Sequence, residues 1–323
     1  MFAESCGNPL MDAPGVSPNP GVEKHAQQGP QIGLEPTKAA EPSSVFFGPD
    51  GLRAGWRVLL YLAFAKGLYA FLGPLLRSLP LRGLRLELAA ELGLLITAWV
   101  PGLVFAVYED RPLGVYGLPA CGAFRKNFWL GALWGLSALS LLMLAMHLAG
   151  LYDITAVALH GDHIWQYAIF WVVFFVIVGL YEEFLTRGYS QYTLTKGVGF
   201  WPSAFLLSFL FGALHMGNEG ETLTGLAAVV VIGLFFCLTL WRTGTLWFAV
   251  GFHMAWDWGE SYLYSVPDSG GIAPGHLLRT AFHGPKWLTG GSVGPEGSVL
   301  VFVLFIVLFA AFHRAYPKVK YTL

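Results

Sequence analysis

The chain is short of charge. Its 323 residues include only 19 Lys and Arg and 20 Asp and Glu, 12% in all, where a soluble domain carries about 25%. The deficit excludes an ordinary soluble enzyme, because a soluble globule cannot hide so little polarity under its surface. Cysteine is also scarce. Cys6, Cys121 and Cys237 lie far apart and show no CxxC or metal spacing, and so few cysteines exclude a disulfide scaffold. No block of basic residues suggests nucleic acid, and a net charge of −1 indicates no partner. The familiar nucleophile motifs are missing too: no GxSxG, no paired Ser/Lys signature and no HExxH. No internal repeat is visible, which argues against a transporter built from duplicated halves.

What is present is apolar. The set AVILMFWYC makes up 55% of the chain and mean hydropathy is +0.57. An all-α polytopic membrane helix bundle is the expected fold class. Residues 1–50 differ from the rest, with eight prolines, six glycines and a charge of −4. Such a segment buries too little to offset its ordering entropy, and it reads as a disordered tail. It has neither the basic start nor the apolar run of a secretory signal. Residues 51–323 form the membrane domain.

From Trp56 onward, apolar runs near the ~20 residues of a membrane span alternate with short polar breaks. About eight transmembrane helices are expected, near 56–76, 88–108, 128–150, 165–190, 200–217, 221–241, 244–264 and 297–315. The Gly-, Pro- and Ser-rich stretch 266–296 and the region of Asp153 and Asp162 read as loops. Trp56, Trp99, Trp129, Trp165, Trp201 and Trp247 fall near helix ends, where an aromatic belt would place them. Lys and Arg divide unevenly. Eleven, from Arg53 to Lys320, fall on the side of both termini, against Arg77, Arg82, Arg85, Arg279 and Lys286 on the other. The positive-inside rule then places both termini in the cytoplasm.

Against this background a few ionisable residues stand out, since each costs about 2.5–3.5 kcal/mol at membrane depth. The run WVVFFVIVGL ends in Tyr181-Glu182-Glu183, with Arg187 following. Glu183 and Arg187 are i and i+4 on one helical face, acid before base, the favourable order. Glu182 points about 100° away and is left in an apolar setting. Burial and a like charge both raise a carboxyl pKa, which suits a general base near neutrality. A plain salt-bridge patch at a helix end is the competing reading. Two other helices add Phe211 and His215, again i and i+4, and then His253 and Asp257 at the same spacing. Together they offer a base for water and donors for an oxyanion, which is what peptide hydrolysis needs.

The succession Glu182-Glu183-x-x-x-Arg187, Phe211-x-x-x-His215, His253-x-x-x-Asp257 resembles the CPBP family of CAAX proteases and bacteriocin-processing enzymes, also called Abi, over roughly 165–260. The resemblance implies an intramembrane endopeptidase of the glutamate type, without metal or organic cofactor. Glu182 would activate water with help from His215. Glu183 and Arg187 would form a supporting ion pair, His253 and Asp257 would serve the oxyanion, and Phe211 would line the site. The implied partners are membrane lipid and a peptide or protein substrate, with prenylation and oligomeric state left open. Prenyl-protease members carry Asn where this chain has Asp257. An ionised Asp cannot donate to an oxyanion, so Asp257 is protonated, orients His253, or marks a site that differs in detail. Two alternatives stand beside this reading: a zinc-dependent membrane metalloprotease, and a non-catalytic scaffold or permease.

Depth poses a difficulty. Counted along simple helices, Glu182 lies about 17 residues, roughly 25 Å, into a helix running outside to inside. His215 lies about 15 residues into the next helix, which returns. A shared site requires the fourth helix to start earlier or run on through Thr195, or the fifth to start later.

Overall fold

The computed structural model describes residues 45–48 and 51–323. The chain divides into two units, 1–53 and 54–323. In the first, β1 (Phe47–Gly48) pairs antiparallel with β2 (Gly51–Leu52); most of the expected disordered tail lies outside the described residues.

The second unit is a polytopic helical bundle. Its helices are α1 (Ala54–Ser78), α2 (Leu84–Tyr108), α3 (Lys126–Leu148), α4 (His163–Glu183), α5 (Gln191–Val198), α6 (Phe200–Leu214), α7 (Leu223–Thr243), α8 (Trp247–Trp258), α9 (Lys286–Thr289) and α10 (Leu300–Ala315). Each of the eight expected apolar runs is helical. Among the described residues six stretches are long and apolar enough to cross a membrane, whereas α8 has 12 residues and α10 has 16. A π-helical extension, Gly259–Tyr264, carries α8 further.

The fourth helix resolves the depth difficulty. It does not stop at the glutamates but passes through a π-helical segment, Phe184–Ser190, into α5, giving one helical run from His163 to Val198. Ser190 Oγ donates to Leu185 O at 2.7 Å, and Gly188 departs from helical backbone with ψ −109°. Only Gly199 (φ +88°) separates this run from α6. Glu182 therefore lies 16 residues before the turn and His215 lies 15 after it, so the hairpin sets them at one level.

Close helix packing fixes α8. A Cβ on Gly131 would stand 2.0 Å from Phe248 O, one on Gly135 would stand 2.3 Å from Phe252 O, and one on Gly251 would stand 2.0 Å from Phe128 O. The α3 and α8 backbones thus touch along a stripe of small residues, the usual solution where lipid removes the hydrophobic drive for helix association. On the other side, Glu109 at the end of α2 holds the π segment. Its carboxylate accepts from Tyr189 Oη at 2.9 Å and from Arg57 Nη1 at 3.1 Å.

Two sequence expectations are corrected. Asp153 is not in a loop but in β3 (Tyr152–Val157), which pairs antiparallel with β4 (Leu278–Phe282) inside the stretch expected to be loop. Local periodicity cannot reveal this pairing, because the two strands are more than 120 residues apart. The aromatic belt is also incomplete. Trp129 and Trp165 are exposed, but Trp247 is buried and donates from Nε1 to Pro119 O at 3.0 Å. Trp99 packs on Phe184 with ring centroids 5.2 Å apart.

Candidate active site

The two adjacent glutamates have different surroundings. Glu183 is 0% exposed and Arg187 is 1% exposed; Arg187 Nη1 donates to Glu183 Oε1 at 2.9 Å. The guanidinium also lies over the Phe211 ring at 4.2 Å and the Phe236 ring at 5.5 Å. A planar delocalised cation suits such a slot, since its faces stack while its edge donates. A second group reaches the same carboxylate oxygen, His253 Nδ1 at 3.1 Å. A carboxylate can only accept, so Nδ1 carries the proton in this contact.

Glu182 turns the other way. It is partly exposed and lines a cavity of about 770 Å³, and neither Glu183 nor Arg187 reaches that wall. His253 links the two acids: its Nε2 stands 3.6 Å from Glu182 Oε2 and 3.4 Å from Asp257 Oδ2. The ring is stacked on Phe236, with centroids 5.6 Å apart and planes at 23°. Gly179 on α4 allows α8 this close; a Cβ there would meet Val250 O at 3.2 Å.

His215 follows the last residue of α6. Its Nδ1 donates to Phe211 O at 2.8 Å, leaving Nε2 as an acceptor. Its ring meets Phe211 edge to face at 4.7 Å. Phe211, His215, His253 and Asp257 all line the cavity with Glu182. Among the described residues no hydrogen bond or ion pair joins His215 to Glu182, although both line the cavity. Five of the seven site residues expected from the sequence thus face one space, and the other two sit buried behind it.

Several lining residues escaped the sequence reading. Leu62, Ala65, Lys66 and Tyr69 present one face of α1 at i, i+3, i+4 and i+7. Lys66 is the thirteenth of 25 residues in that helix. A lysine at mid-span was the signal that could have found it. Thr97, Tyr181, Thr186, Asn218, Asp268, Ser269 and Glu296 are also among the polar lining. Burial pushes the Asp268 and Glu296 carboxyls above their ordinary range. Nothing local marks these loop acids, because the fold alone carries them to the cavity.

As to metal ligands, Glu182, His215 and His253 do not form a set whose donor atoms lie within 4.8 Å of one another. Among the described residues, the group of three that does so is Glu260, Asp268 and Glu296. The zinc alternative therefore lacks a ready donor cluster at the two histidines.

Residues 164–259 match a family described as type II CAAX prenyl endopeptidase Rce1-like. The match is confined to this segment. It contains all seven expected site residues and the helices α4 to α8 that carry them. It covers under a third of the chain and leaves out α1 to α3, the stretch after α8 and α10. No curated protein and no solved structure matches the chain.

Proposed function

We propose that this integral membrane protein is an endopeptidase in which Glu182 activates water for attack on a peptide carbonyl. The supporting observation is the division between the paired glutamates. Glu183 is sealed against Arg187 behind the cavity, while Glu182 faces it beside His253. In the proposed reaction Glu182 takes a proton from water, and the hydroxide adds to the carbonyl carbon. His253 Nε2–H donates to the developing oxyanion, a contact worth more in the transition state than in the ground state. Before substrate binds, Asp257 accepts from the same Nε2–H and orients the ring, and the oxyanion then replaces it as acceptor; this removes the need for a hydrogen bond that an ionised Asp cannot give. His215 Nε2 accepts from the water and positions it. Glu182 then returns the proton to the leaving amine, and the peptide bond breaks.

The Glu183–Arg187 pair supports the reaction without touching the substrate. It holds His253 through Nδ1 and so sets where Nε2 points. The apolar cavity wall, with Leu62, Phe175, Val178 and Leu210 among its residues, suits a peptide delivered from the membrane, prenylated or not. Both termini are assigned to the cytoplasmic face from the Lys and Arg distribution.

The test is peptide cleavage by the purified protein in detergent, using farnesylated and unmodified peptides ending in a CAAX-like tail. Wild-type protein is expected to cleave, and Glu182→Gln to lose about 10²-fold or more of the rate, the scale of general acid–base catalysis. Full activity in Glu182→Gln, or a folded wild-type protein that cleaves none of the peptides, would overturn the proposal.

A further inference from the structure

A second group of acids lies beside the cavity, outside the matched segment. Glu260 sits on the π-helical extension of α8, while Asp268 and Glu296 flank the stretch that leads through β4 and α9. One carboxylate oxygen from each lies within 4.8 Å of the others. Proximity of acids alone would be unremarkable, and the decisive observation is the state of Glu260. Its side chain is 0% exposed, and among the described residues neither of its oxygens accepts a hydrogen bond from an N–H group or a hydroxyl.

Donors are few around the other two. Ser261 Oγ donates to Asp268 Oδ2 at 3.0 Å. Ser269 donates to Glu296 Oε1 from its backbone nitrogen at 2.7 Å and from Oγ at 3.2 Å. Among the described residues no Lys or Arg forms an ion pair with any of the three. In its ionised form a buried carboxyl without a partner costs several kcal/mol, and three converging on one point cost more, which is why burial pushes these groups toward protonation when no cation is bound. A positive charge between them removes that cost.

The donor set says which charge. All three ligands are carboxylate oxygens, with no imidazole or thiolate, and such sets suit hard divalent cations over zinc or copper. Three oxygens that all lie within 4.8 Å of one another are at most about 2.8 Å from a common centre, so a small inward adjustment gives the roughly 2.3–2.6 Å of calcium–oxygen bonds. We infer that Glu260, Asp268 and Glu296 form a binding site for a hard divalent cation of the calcium class. Asp268 and Glu296 also line the cavity next to Asp257 and His253. A bound ion fastens the 266–296 stretch to the end of α8 and holds it as a wall of the site. This role is structural, and it does not depend on the peptidase proposal.

The experiment uses the full-length protein in detergent, stripped with a chelator, with Ca²⁺ as the probe in calorimetry and Mn²⁺ as the probe in electron paramagnetic resonance. One saturable site per chain is expected, together with a rise in unfolding temperature on adding Ca²⁺. Glu260→Gln keeps the side-chain shape and should weaken Ca²⁺ binding by about tenfold or more, because affinity follows ligand charge. Asp268→Asn should do the same and is read instead if the first variant does not fold. Asp162→Asn, at an exposed acid far along the chain, should leave binding unchanged. No saturable Ca²⁺ or Mn²⁺ binding by folded wild-type protein overturns the site, and so does equal affinity in both cluster variants. In either case the carboxyls share protons instead.

Discussion

Arg187 shows how much one buried side chain can be asked to do. It neutralises Glu183 at 2.9 Å and stacks on Phe211, while the same carboxylate oxygen accepts from His253. Removing one partner of a buried pair leaves the other charge uncompensated, at about 3–5 kcal/mol. Arg187→Ala is therefore expected to unfold well below wild type in a thermal scan followed by circular dichroism. An unchanged melting temperature would mean that Glu183 is neutral in the native state. Glu182 makes the opposite prediction. Among the described residues its side chain makes no hydrogen bond, and its nearest charged partner is His253 at 3.6 Å, so Glu182→Gln should melt within a few degrees of wild type while activity collapses. The same two adjacent glutamates are thus separable, one by stability and the other by rate.

At the scale of elements, the site depends on contacts far from the chemistry. His253 and Asp257 ride on α8, and α8 is placed by backbone contact with α3 at Gly131, Gly135 and Gly251. Gly251→Ala puts a methyl 2.0 Å from Phe128 O, and the helices must separate. Overpacking of this kind costs about 1–3 kcal/mol, and the displaced α8 should lower cleavage although Gly251 does not line the cavity. Gly67→Ala in α1 is the control. A Cβ there meets nothing within 4 Å, so the substitution should be neutral or slightly stabilising through helix propensity. If both variants behave alike in cleavage and melting assays, close α3–α8 packing is not what positions the site. The π segments belong to this scale as well. Phe184–Ser190 re-aims the helix just after the glutamates, and Gly259–Tyr264 turns Glu260 inward just after Asp257.

Across the whole molecule, the hairpin of α4, α5 and α6 makes one site out of residues on opposite-running helices. Eight apolar helices, if all cross, return the chain to the side it started from. Reporter fusions at the N-terminus and after Leu323 should therefore both read out on the cytoplasmic face. A split result would show that α8 or α10, the two short ones, does not cross. The β3–β4 pair works at the same scale, tying the connection after α3 to the stretch after α8 that walls the cavity.

Much of this was legible in the sequence. Scarce charge set the solvent, apolar runs located the helices, and i, i+4 spacing alone paired Glu183 with Arg187 and His253 with Asp257. These are local properties: a helix places such residues on one face whatever surrounds it. What the chain could not disclose by itself was any relation between distant segments. The continuation of α4 through a π turn to Val198, the contact of His253 with Glu183, the strand pairing of 152–157 with 278–282, and the convergence of Glu260, Asp268 and Glu296 all depend on where helices pack. Packing is set by many weak contacts summed over the bundle, and no window of sequence contains them. The sequence determined which residues could do chemistry, and the tertiary structure decided which of them meet.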